Sequence, residues 1–135
     1  MAYPTTGAKT NYAETAVGTW RLTDGAVTRP TAWYIALYTT LPGEDGTGGV
    51  EVSGNGYARQ PVDWSETATP GQFDNDALVA FTADGGNWGS IVGWGNCDHV
   101  SAGNIWDRGE LDAAETINDG DTLSFAAGAL KISED

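Results

Sequence analysis

From Trp33 to Thr39 the residues Trp33, Ile35 and Leu37 alternate with Tyr34, Ala36 and Tyr38, so a strand here carries apolar side chains on both faces. Such a strand is central in its sheet or lies at an interface. Downstream, short apolar segments recur between clusters of Gly, Asn, Asp and Pro at intervals of about 8–12 residues, the spacing of an all-β sandwich or barrel. The pattern predicts strands at 33–39, 57–64, 77–82, 88–95, 104–111, 121–125 and 129–133, with a short piece at 50–53. Hairpins are predicted at "SGNG" before Tyr57 and at "NDGD" (118–121), where positive φ costs Gly little and is tolerated by Asn or Asp. "GEDGTGG" at 43–49 predicts a mobile surface loop. Upstream the period changes. Tyr12, Ala16, Val17 and Trp20 share a face at helical spacing, and Asn11 followed by Glu14 fits a capping box, so one short helix is expected, ending near Asp24-Gly25. Residues 1–9, with Pro4 and Gly7 and no periodicity, predict an extended arm ahead of a single domain at 10–135. The fold class expected is mainly β: an antiparallel β-sandwich of jelly-roll type with one short N-terminal helix.

Composition narrows the partners. With 135 residues, 40% of them hydrophobic, the chain closes one core. Nineteen acids against six scattered bases give a net charge of −13, which leaves the counterion release that drives nucleic-acid binding almost no Lys or Arg to work with. No apolar run approaches the roughly 20 residues of a membrane span, and "MAYPTTGAKT" lacks the basic and apolar regions of a secretory signal, so synthesis in the cytoplasm and no membrane partner are expected.

Candidate chemistry is sparse. Cys97 and His99 form the one Cys/His cluster, two ligands where zinc takes three or four. The acidic turns "DND" (74–76) and "NDGD" lack the spacing and closing Glu of a calcium loop. Among 19 acids no pair stands out as the two carboxylates of a glycosidase. No metal, no cofactor and no enzymatic activity are therefore expected. Trp20, Trp33, Trp64, Trp88, Trp94 and Trp106 admit two readings: filling a core or an interface, or a platform for stacking sugars. Arg59, two residues after Tyr57 on one strand face, suits an ion pair, within the domain or between subunits.

The run "YIALYTTLPGEDGTGGVEVSGNGYARQPVDW", then "NDALVAFTA" and "NWGSIVGWGNCDHVSAGNIWDRGELDAAETINDGDTLSFAAGALKIS", resembles a family of small bacteriophage virion proteins labelled tail-fibre or minor tail proteins. The resemblance covers most of 12–133, and "CDHVSAGNIWDRGELD" departs from it in being richer in charge. It implies a structural, non-enzymatic role on a phage particle, made in the bacterial host cytoplasm; the net charge of −13 points to the particle's outer surface. Partners among the major capsid or tail proteins follow from that location, and a homo-oligomer is expected from the strand apolar on both faces and from six tryptophans in one small domain, a trimer by analogy with phage surface proteins. The acidity, and the lack of heptads or repeats for a shaft, place capsid decoration or cement ahead of a tail or fibre position. Candidate assembly residues are Trp33, Tyr34, Tyr38, Tyr57 and Arg59, with Tyr3 and Pro4 in the arm. The alternative is a lectin-like carbohydrate-binding module contacting host glycans, with a hydrolase third.

Overall fold

The computed structural model describes residues 5–134; Tyr3 and Pro4 lie outside the described residues. In chain order the elements are β1 (Thr5–Lys9), α1 (Asn11–Leu22), β2 (Trp33–Thr40), β3 (Val50–Glu51), β4 (Gln60–Val62), β5 (Trp64–Glu66), β6 (Gln72–Asn75), β7 (Val79–Thr82), β8 (Gly89–Cys97), β9 (Ile105–Ile117), β10 (Thr122–Phe125) and β11 (Leu130–Ser133). Nine strands join in the order β3-β2-β8-β9-β1-β11-β6-β5, with β4 also on β2, while β7 and β10 form a separate antiparallel ribbon. All pairs are antiparallel except β1 with β11. The expected mainly β sandwich with one short helix is therefore what forms.

The expected central strand is β2, flanked by β8 on one side and by β3 and β4 on the other. Its two apolar faces feed separate clusters. Ile35 and Leu37 join the main core with Phe81, Ile91, Trp94, Leu123, Phe125 and Leu130, whereas Ala36 and Tyr38 pack with Cys97 on the opposite face. The sheet curls over its own inner face. Trp64 of β5, last on the strand path, lies 6.3 Å from Trp94 of β8 between ring centroids, and its Nε1 donates to Asn96 Oδ1 at 3.2 Å. The β7–β10 ribbon adds Val79, Phe81, Leu123 and Phe125 to that core.

Three expectations are corrected. Residues 5–9 are extended, but as a strand between β9 and β11 rather than a free arm. "TTGAK" has no large apolar side chain to mark a strand, and at Gly7 the sheet leaves no room for one. Trp94 fills the space above the strand, and a Cβ on Gly7 would lie 2.7 Å from its Cη2. The helix starts one residue earlier than the capping box implied, since the cap is Thr10, whose Oγ1 accepts from Ala13 N–H and donates to Ile105 O at 2.7 Å. Both predicted turns form with positive φ, at Gly54, Asn55, Gly56 and Gly120, yet neither closes a hairpin. The strands beside "SGNG" each pair with β2, and β10 after "NDGD" crosses to β7.

The loop at 43–49 is tied down more than its glycines suggested. Asp45 Oδ1 accepts from Thr47 N–H and Oγ1–H, and Glu44 O accepts from Asn11 N–H at the start of α1. Strand β6 was also missed, because its hydrogen-bonding core is polar: Asn75, 1% exposed, donates to Ala77 O and Ala126 O and accepts from Leu130 N–H.

Trp94 thus sits where its neighbours must lack side chains. A Cβ on Gly109, its register partner on β9, would lie 2.6 Å from the indole Nε1. Gly109→Ala is expected to cost about 1–3 kcal/mol through overpacking, read as a lower urea midpoint at unchanged slope. An unchanged midpoint would mean that Trp94 has room to move.

Candidate functional site: a tryptophan-walled cleft

The assembly residues expected from sequence do not gather at one site. Tyr57 and Arg59 converge on Glu51 of β3. Tyr57 Oη donates to Glu51 Oε2 at 2.6 Å while accepting from Leu37 N–H, and Arg59 grips both carboxylate oxygens through Nε and Nη2 at 2.9 and 2.8 Å. The remaining guanidinium contacts run from Nη1 to His99 O and Ala102 O, so Arg59 fastens the loop after β8 to the sheet edge. Burial works against the charged form of Glu51, but the Arg59 and Tyr57 donors outweigh it and hold the carboxyl below its ordinary value. Tyr38 is buried beside Cys97, and burial raises both groups, the thiol to about 11. Trp33 and Tyr34 are half-buried at the start of β2. His99, in the loop, turns its ring to Ser101 O. Among the described residues no group of three or more His, Cys, Asp or Glu could hold a metal ion. No helix among them is long and apolar enough to cross a membrane.

A different set does converge. Trp20 of α1, Trp33 of β2, Trp64 of β5 and Trp106 of β9 wall a cleft of about 550 Å3 between the helix and the sheet. A second concavity of about 310 Å3 continues from it past Val27 and Pro30, sharing Trp20, Trp33, Trp106 and Arg29. Local backbone explains the aim of Trp106. In the β8–β9 register Asn96 faces Asp107 and Cys97 faces Ile105, so Trp106 is an extra residue at a bulge, the device that redirects a side chain. The bulge is held from both sides: Trp106 O and Ile105 O accept from Thr10, and Trp106 Nε1 donates to Asp98 Oδ2 at 3.1 Å. The Trp106 ring then meets Tyr12 and Trp33 edge-on at 5.3 and 5.4 Å.

The cleft is largely apolar, with Asn96, Asp107 and Lys9 as polar side chains in its floor. Ile35, Asn96, Asp107 and Lys9 stand side by side across β2, β8, β9 and β1. Asn96 is fixed at both ends, accepting from Trp64 Nε1 and donating to Asp107 Oδ2 at 3.0 Å. Lys9 turns to Glu134 at 2.7 Å. Asp107 is 6% exposed with that single hydrogen bond; among the described residues its Oδ1 has no partner. Burial raises the Asp107 carboxyl to about 6, with Glu134 adding to the rise and Asn96 and Lys9 opposing it.

The six tryptophans therefore divide. Trp88 and Trp94 fill the core at 7% and 0% exposure, whereas Trp20 is 69% exposed and the other three are half-buried around the cleft. Nothing in the spacing of the six indoles separates these two groups, and Asn96 and Asp107 stand in no recognisable motif. One signal was present: Asp107 is a charged residue at an inward position within the strand "NIWDRGEL".

A family model described as Podophage GP4 fiber I protein gp80 matches residues 8–133. No curated protein gives a significant match.

Two measurements check this geometry. Replacing a core indole, Trp94→Ala, is expected to cost about 3–5 kcal/mol, while Trp20→Ala changes stability by less than about 0.5 kcal/mol in chemical denaturation. Equal losses would mean that Trp20 is not a free surface. Asp107 has its own signature. Its ordinary value is 3.8 and its folded value about 6, so the folded chain holds a proton that the unfolded chain has released between those pH values. The stability this contributes is fully present below pH 3.8 and is lost as pH rises through about 6, a difference of about 2–3 kcal/mol. Asp107→Asn should accordingly melt higher than the parent at pH 7.5, with the gap closing toward pH 4. Parallel melting profiles would show that the carboxyl is solvated.

Proposed function

Because the chain belongs to the Podophage GP4 fiber I protein gp80 family, we propose that it is a non-enzymatic structural component of a bacteriophage fibre that works through its surfaces. The match over 8–133 carries this reading, since it spans nearly all the described residues. Membership makes the chain a virion structural protein of the tail-fibre type; the position on the particle, the oligomer and the partners are the proposal. The family description favours a fibre position bound to other tail proteins. Capsid decoration stands second, favoured by the net charge of −13, which suits an outward-facing coat.

A structural role also fits how polar side chains are used. Arg59 directs four hydrogen bonds into the domain, to Glu51 and the loop carbonyls, leaving one of a guanidinium's five N–H donors. Exposed Val50 adjoins Glu51 and exposed Val100 adjoins His99, in the two segments that Arg59 ties together. We place the contact between copies there, in a trimer by analogy with phage surface proteins, with no nucleic acid and no cofactor.

Antibody labelling of purified virions by electron microscopy tests the position. Label confined to the tail is expected; label spread over the shell in hundreds of copies would replace the fibre reading with decoration. Light scattering should give three chain masses, and Val50→Asp with Val100→Asp should reduce that to one. A parent protein that is monomeric at micromolar concentration would remove the trimer.

A further inference from the structure

The cleft combines two features that one kind of ligand satisfies together: an open indole and a buried, underused carboxylate. We propose that it is a saccharide site, taking a neutral pyranose with its C–H face on Trp20 and its hydroxyls on Asp107 and Asn96. This goes beyond the structural role and does not depend on where the chain sits on the particle.

The floor decides against an apolar occupant. Side chains of a second copy pressed into the cleft would seal the Asp107 carboxylate from water with Oδ1 unpartnered, and burying such a group without donors is strongly unfavourable. Sugar hydroxyls supply the donors. Asn96 is held by Trp64 and Asp107 in one orientation, so its amide presents a fixed edge beside the carboxylate instead of one that must first be ordered. The aromatic walls supply apolar area for the C–H face, giving the mix of apolar lining and a few fixed polar groups that small-molecule sites use.

Charge narrows the class. Lys9 is committed to Glu134, and Asp107 is mostly ionised at neutral pH, so a carboxylated or phosphorylated sugar would meet a like charge at the floor. Arg29 lines the wall common to both concavities and brings N–H donors to it. The main cleft, at about 550 Å3, falls within the range of small-ligand pockets, and the adjoining 310 Å3 gives a second ring somewhere to go.

An array of immobilised neutral mono- and oligosaccharides, followed by calorimetry with the strongest hit, tests the site. The parent protein is expected to bind. Trp20→Ala should weaken the hit about three- to tenfold, and Asp107→Asn about tenfold or more, because one removes a stacking face and the other a charged acceptor. Leu22→Ala, which alters an exposed side chain of α1 outside the cleft, should bind as the parent does. Circular dichroism and light scattering on the same variants keep folding and assembly in view. An array without hits, or a hit that both cleft variants retain, overturns the proposal. So does a Trp20→Ala protein that binds sugar normally but loses its oligomeric state, which would make the cleft a contact between copies.

Discussion

The closeness of the backbone around Trp94 sets the terms for the rest of the molecule. Its indole is fully buried, and Gly7 of β1 and Gly109 of β9 leave it the space that side chains would otherwise occupy. Its Nε1 lies 3.5 Å from Thr5 Oγ1. Strand β1 can therefore approach β9 on one side and β11 on the other, and among the described residues it is β1 that joins β2, β8 and β9 into one sheet with β11, β6 and β5. The curl of that sheet brings Trp64 back to Trp94 and Asn96, and so builds the cleft. A residue in the core fixes the geometry of a site on the surface.

The two polar centres of the domain differ in how their charges are met. Glu51 is matched by Arg59 and Tyr57 and is held in its charged form. Asp107 has one amide for company, and burial works against its charge. The first arrangement anchors loops. The second leaves hydrogen-bonding capacity unused inside an aromatic cleft, which is the kind of local cost that functional sites carry.

Sequence periodicity revealed the elements whose apolar pattern follows from their own position. In β2 each face meets a cluster, so alternating large side chains made a central strand legible before any fold was known. In β1 and β6 the deciding neighbours come from far along the chain: Trp94 excludes side chains above Gly7, and Asn75 bridges to Ala126 and Leu130. No local window contains those partners. The helix cap moved by one residue for a similar reason, since Thr10 serves Ile105 as well as its own helix. The cleft was the least legible feature. Its walls come from a helix and three strands, and Trp106 reaches it through a bulge that shows only in the pairing of β8 with β9.

The parallel pairing of β1 with β11 carries a mechanical consequence. Thr5 lies beside Leu130 and Gly7 beside Ile132, so the first and last strands run in the same direction. Tension that draws the residue 5 end away from the residue 133 end slides these strands past one another along their length. Every backbone bond between them is then strained together, in shear, whereas an antiparallel pair joined by a turn peels open one bond at a time. Force applied along the chain between residues 5 and 133 is thus met by the whole β1–β11 ladder at once, before it reaches the core.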